Sequence, residues 1–166
     1  MKWMIASDLH GSVSACRKML DAFQREGADR LLLLGDLLYH GPRNGLPETY
    51  DPPAVAELLN LHRDKLVTVR GNCDAEVDQM LLEFPILSEY ALLFDGGLAV
   101  YATHGHRLIE GIRVGDVVLS GHTHVPHDYE EKGIRYLNPG SVAIPKGGSA
   151  ASYLTLENGV FTLKLL

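Results

Sequence analysis

The sequence predicts a mixed α/β domain in which two β-sheets pack face to face with helices outside. Three observations lead there. Through residue 74, short apolar runs alternate with stretches whose apolar residues recur every three or four positions, the pattern of β-α-β units. From Ile86 onward the runs come in pairs around Gly-containing turns, the pattern of hairpins. No linker, repeat or low-complexity stretch separates the halves, so residues 1–166 are expected to form one domain.

Trp3 to Ser7 is apolar nearly throughout and reads as a first strand buried on both faces, ending in Asp8-Leu9-His10-Gly11. A helix follows with Ser12 or Ser14 as cap. Val13, Cys16, Leu20 and Phe23 lie on one face of it, and Gly27 is its stop. Leu31 to Leu34 is too short for a helix and reads as a second buried strand, ending in Gly35-Asp36. Tyr39 to Tyr50 is a loop rich in turn formers. The next helix has Asp51 as cap, Pro52 or Pro53 in its first turn, and Val55, Leu58, Leu59 and His62 on its apolar face, which makes His62 a core residue. Lys65 to Arg70 is a third strand, ending in Gly71-Asn72-Cys73-Asp74, and a short helix is expected over 76–82. Hairpins follow: Tyr90–Phe94 with Leu98–Thr103 around Asp95-Gly96-Gly97, His127–Glu131 with Ile134–Asn138 around Lys132-Gly133, and Ala151–Leu156 with Val160–Leu165 around Asn158-Gly159. Between them Val117 to Ser120 forms a buried strand. The second half thus reads as mostly antiparallel.

Composition excludes several classes. At 46% hydrophobic and 22% charged the chain is that of an ordinary globular protein. No apolar run approaches the ~20 residues that span a bilayer, so no membrane association is expected. The N-terminal run is interrupted by Asp8 and is no signal peptide. The two cysteines, Cys16 and Cys73, are too few for a disulfide framework, and a cytoplasmic, reduced setting is expected. A net charge of −6 without a basic block argues against long nucleic acid as a partner.

The polar residues collect just past strand ends: Asp8 and His10, Asp36, Asn72, His104, then His122 and His124. Open α/β sheets place their sites at that edge. A lone Asp there is usually a cap or a turn former. Five strand ends carrying potential metal ligands and little else are not explained that way. In extended geometry His122 and His124, two apart, would face the same side, so they could grip one ion or serve two neighbours. Four imidazoles, two carboxylates and one amide, without thiolate, suit divalent ions such as Mn²⁺, Fe²⁺, Ni²⁺ or Zn²⁺. They are too many for one tetrahedral ion and suit two ions sharing a carboxylate, the arrangement that activates water and clamps a phosphoryl displacement.

Asp8-x-His10, Gly35-Asp36, Gly71-Asn72-x-Asp74, His104-Gly105-His106 and Gly121-His122-x-His124, in this order, resemble the calcineurin-like metallophosphoesterase superfamily. The stretches Gly35 to Asn44 and Asn138 to Val142, with Ile144-Pro145-Lys146-Gly147-Gly148, resemble its small bacterial and archaeal phosphodiesterases of the YfcE type. The resemblance covers nearly the whole chain. It implies a four-layer αββα sandwich, a phosphoric diester hydrolase, and two divalent ions per chain, with Mn²⁺ the foremost candidate. By motif, Asp8, His10 and His124 would hold the first ion, Asn72, His104 and His122 the second, and Asp36 would bridge them. A hydroxide between the ions would attack phosphorus. Many superfamily members carry His in the slot of Cys73, held by the following Asp as proton donor to the leaving oxygen. Here Cys73 and Asp74 are the candidate catalytic pair. A thiol donates hydrogen bonds less well than imidazolium, so diesters or activated esters are expected over alkyl monoesters; the plain alternative is that Cys73 is a small packing residue.

Tyr39, His40 and Arg43 follow the shared carboxylate and are the candidate substrate contacts, Arg43 because a guanidinium suits phosphate. His106 is either a contact to the ligand shell or a loop residue, and His127 has no assignment. The stretch 106–116 is short for the resembled family. A small phosphodiester is the expected partner, with homo-oligomerisation possible. The alternative function is a metal-bearing scaffold on the same fold.

Overall fold

A computed structural model describes residues 1–166. Strand β1 (Lys2–Ala6) pairs in parallel with β2 (Arg30–Leu33), which pairs in parallel with β3 (Leu66–Thr68). The C-terminal hairpin β9 (Ser152–Glu157) and β10 (Val160–Leu165) completes this sheet, β9 running antiparallel beside β1 to give the order β10-β9-β1-β2-β3. The second sheet has the order β4-β5-β6-β8-β7, from β4 (Tyr90–Asp95), β5 (Leu98–Thr103), β6 (Val117–Leu119), β7 (His127–Glu131) and β8 (Ile134–Asn138). Both sheets are mixed. β6 runs parallel to both its neighbours, so the second half is less antiparallel than its hairpins suggest.

Helix α1 (Val13–Glu26) starts where the Ser12 hydroxyl accepts from the Ala15 N–H, and stops where Gly27 turns left-handed at φ +58°. Helix α2 (Pro52–Asn60) starts at Asp51, whose carboxylate accepts from the Ala54 N–H. Both pack on the outer face of the first sheet, where Cys16, Met19, Phe23, Val55 and Leu59 meet Met4, Leu31 and Leu33. The alternate side chains of the same strands, Trp3, Ile5 and Leu32, meet Val100, Val117, Leu119 and Leu137 between the sheets. The α/β sandwich with its two sheets face to face is the expected one. The far side of the second sheet carries no helix: the β5–β6 crossover, residues 104–116, stays irregular, and Tyr90, Leu92, Phe94 and Tyr129 are exposed there. That crossover joins parallel strands, a connection usually made by a helix. No helix is long and apolar enough to cross a membrane.

Two local expectations are corrected. The helix expected over 76–82 is a single 3₁₀ turn, Asp78–Met80. Gln79 stops it from growing, because its side chain donates to Leu82 O and Phe84 O and accepts from Ile86 N–H. His62 lies beyond the end of α2, half-buried, with its ring edge-on to Phe23, and is not a core residue.

Candidate metal centre

Packing the sheets face to face sets the C-terminal ends of β1, β2 and β3 beside those of β5 and β6. The turns there are knitted together by backbone: Asp8 N–H donates to Gly35 O, His10 N–H to Asp36 O, and Gly121 N–H to His104 O. Side chains add Ser141 Oγ donating to Asp8 O and Asn138 Nδ2 donating to Gly121 O. Five of the seven candidate ligands, Asp8, His10, Asp36, His122 and His124, sit at φ between +47° and +65°. This region costs a residue with a side chain about 1–2 kcal/mol. It also corrects the premise that His122 and His124 share one face of an extended segment.

The structure brings the seven together in two groups. Asp8 Oδ1 is 3.5 Å from His10 Nε2 and 3.4 Å from His124 Nε2, and the two imidazole nitrogens are 3.2 Å apart. His104 Nε2 is 3.0 Å from Asn72 Oδ1 and 3.4 Å from Asp36 Oδ2, and the His122 ring lies 5.1 Å from the His104 ring. Asp36 stands between the groups, its Oδ2 also 3.7 Å from His10 Nε2.

Three imidazoles are oriented from behind. The Nδ1–H of His10 donates to Tyr39 O, that of His104 to Leu34 O and that of His124 to Ile144 O, at 2.8, 2.6 and 2.6 Å. Each Nε2 is thereby turned inward, as in metal-ligating histidines. Asp8 Oδ1 is buried among them with no hydrogen-bond partner. Donors about 2.1 Å from one ion stand about 3–3.5 Å from each other, so the spacings above and the orphaned oxygen fit a divalent cation in each group.

The charges respond to this crowding. Burial pushes Asp36 up, but His104 outweighs it and holds the carboxyl down at about 2. Burial works against charge on His104, yet Asp36 holds it up at about 9. Burial lowers His122 and His124. The positive charge of Arg43 reaches the first, and that of Lys146 the second.

The remaining site residues divide. Cys73 is half-buried and lines a cavity of about 370 Å³ over the centre. Burial and then the Asp36 carboxylate push its thiol up to about 12. Asp74 does not hold Cys73. Its buried carboxylate instead accepts from the N–H groups of Asp36, Leu37 and Gly71 at 2.8, 2.9 and 2.7 Å. Burial pushes this carboxyl up, and the N–H donors at Leu37 and Gly71 counter it. Asp74 therefore positions the shared carboxylate and touches nothing reactive. Of the three expected substrate contacts only Arg43 lines this cavity. Tyr39 lines a neighbouring apolar cleft, and His40 lines neither, its ring lying between those of Tyr39 and Tyr50. His106 is exposed, 5.4 Å from the His104 ring, and His127 lies away from the centre on β7. The sequence reading missed Lys146 and Asn44, which also line the cavity, the Lys146 N–H donating to His124 O. The only signal for Lys146 was its place in the Ile144-Pro145-Lys146-Gly147-Gly148 stretch.

Comparison with known proteins gives concordant results. The profile of the calcineurin-like phosphoesterase superfamily domain matches residues 1–159. Phosphodiesterase YfcE of Escherichia coli K12 is 47% identical over 167 residues, covering 98% of this chain and 91% of that protein. The solved structure of the E. coli YfcE phosphoesterase superposes with a TM-score of 0.95 at 46% identity, covering 99% of this chain and 93% of that one. A solved archaeal phosphodiesterase shares the fold alone, with a TM-score of 0.72 at 22% identity and full coverage of both chains.

Proposed function

Because this chain belongs to the calcineurin-like phosphoesterase superfamily, we propose that it is a phosphodiesterase whose activity depends on two divalent cations. The observation that carries the proposal is the inward convergence of His10, His104 and His124, each held from behind by a backbone carbonyl, on the orphaned Asp8 oxygen and the Asp36 carboxylate.

In this reading Asp8, His10 and His124 hold one cation, Asn72, His104 and His122 hold the other, and Asp36 serves both. The pair supplies Lewis acidity and an ionised water at neutral pH. The residues of the chain do the rest. Asp36 serves as a carboxylate, the form that a cation on either side of it favours. The Asp74 carboxylate fixes the backbone that aims Asp36. Gly41 to Asn44 and Lys146 wall the cavity over the centre and orient the phosphate arms. Cys73 puts on the cavity wall a thiol, a weak hydrogen-bond donor, which gives little help to a poor leaving group and so favours diesters with good leaving groups. Donors of nitrogen and oxygen alone admit Mn²⁺, the foremost candidate, along with Fe²⁺, Ni²⁺ and Zn²⁺; a net charge of −6 without a basic block favours a small diester over long nucleic acid.

The test is to strip the protein with chelator and add back Mn²⁺, Fe²⁺, Ni²⁺ or Zn²⁺ singly. Hydrolysis of an activated diester is followed beside an activated monoester, and calorimetry counts the bound ions. Two ions per chain and a diester rate that returns with metal support the reading. A chelated protein that hydrolyses at the starting rate, or a stoichiometry below two, overturns it.

A further inference from the structure

Only one of the 11 residues lining the central cavity is hydrophobic, and its outer wall carries two cations, Arg43 and Lys146. This is a site with surplus positive charge on a chain of net charge −6. Neither cation pairs with a carboxylate, so both charges stay available to the cavity. Lys146 is placed deliberately. Its N–H donates to His124 O, the neighbouring Ile144 carbonyl takes the His124 ring proton, and its Nζ donates to Asn44 Oδ1 at 3.0 Å. Asn44 in turn donates to His40 O, which fixes the loop that presents Arg43. The two cations thus share one rim of the cavity, Lys146 joined through Asn44 to the loop that carries Arg43.

Charge balance says what they await. With two divalent cations in place, the carboxylates of Asp8 and Asp36, an ionised water and the single charge of a diester bring the centre to neutrality. The charges of Arg43 and Lys146 are then left over. A terminal phosphate carries about −1.5 to −2 at neutral pH and would balance both. A guanidinium beside an ammonium offers it a fork of donors and a point charge.

We propose that Arg43 and Lys146 form a second-anion subsite, and that the substrate is a small phosphodiester whose retained arm ends in a phosphate. This rests on the phosphodiesterase reading and narrows its substrate class.

The experiment compares ethyl 4-nitrophenyl phosphate with 2-phosphonoethyl 4-nitrophenyl phosphate on the Mn²⁺-loaded protein. The leaving group is the same in both, and the phosphonate adds charge without a second ester to cleave. The parent protein is expected to show a KM about tenfold lower for the phosphono ester, the worth of one charge-assisted contact, shrinking as salt rises. Lys146→Gln and Arg43→Gln each remove most of that ratio, and Lys146→Arg restores it. Both residues are exposed, so the variants fold. Equal KM values for the two esters in the parent overturn the subsite and leave the diesterase reading standing. A Lys146→Gln protein that raises both KM values alike overturns it too, by assigning the lysine to the scissile phosphate. Failure to cleave either ester with any added ion overturns both readings together.

Discussion

Replacing Asp74 should damage the centre without touching a ligand. The carboxylate is 3% exposed and is the acceptor for three backbone N–H groups, those of Asp36, Leu37 and Gly71. Asp74→Ala strands all three in a dry pocket. An unsatisfied buried donor costs about 1–3 kcal/mol. The low end applies, because losing the carboxylate also removes its own burial penalty, which is what raises its pKa. The loss is then about 3 kcal/mol, or roughly 6–12 °C in Tm for a domain of this size. Asp74→Asn keeps one acceptor oxygen but turns an NH₂ toward a donor, so it should lose about 1 kcal/mol and still fold. Because the lost acceptors serve the N–H groups of Asp36 and its neighbours, both variants should bind Mn²⁺ more weakly, Asp74→Ala by about 10–100-fold. Thermal unfolding and calorimetric metal titration on the same preparations measure both effects. An Asp74→Asn protein with the parent's Tm and metal affinity would show that the turn after β2 holds itself, and the positioning role would fall.

Three further outcomes are expected. A Cβ at Gly71 would stand 2.0 Å from Asp36 Oδ1, so Gly71→Ala should cost about tenfold or more in metal affinity while the core stays folded; unchanged titration would refute the close approach. Lys164 and Lys2 hold the Glu26 carboxyl down at about 2, which joins the end of α1 to β1 and β10. The stability it contributes is complete above about pH 4.5 and lost as pH falls toward 2. Glu26→Gln should therefore start less stable and show a shallower fall of Tm from pH 5 to 2, and parallel curves would exclude the linkage. Cys73→His puts a better proton donor on the cavity wall, so monoester turnover should rise relative to diester turnover; a fixed ratio of the two rates refutes a role for this position in leaving-group assistance.

The strand-end residues were legible because their logic is local. A short apolar run ending in Asp or His places that side chain at the sheet edge whatever the rest of the chain does, and five such ends in a parallel-rich pattern had to meet. The helix caps Ser12 and Asp51 were legible for the same reason. Roles set by tertiary approach were not. Asp74 follows Cys73 in sequence, which suggests that it serves Cys73, but its oxygens are taken by the Asp36 and Leu37 N–H groups of the loop after β2 and by the Gly71 N–H of its own loop. Lys146 lies far from Asn44 in sequence and meets it only when the loop after β8 folds against the loop after β2. Residues 104–116 carry no helical periodicity, and the bare outer face of the second sheet follows from that, but only strand order shows that this stretch is the crossover meant to cover it.

The left-handed backbone at Asp8, His10, Asp36, His122 and His124 sets a direction for sequence drift. At about 1 kcal/mol apiece the five together consume some 5 kcal/mol, as much as the whole margin of a modest fold. A descendant released from catalysis would become sturdier by admitting glycine or asparagine at these positions, one exchange after another. Aspartate and histidine at these five places thus give up folding stability for the site they build.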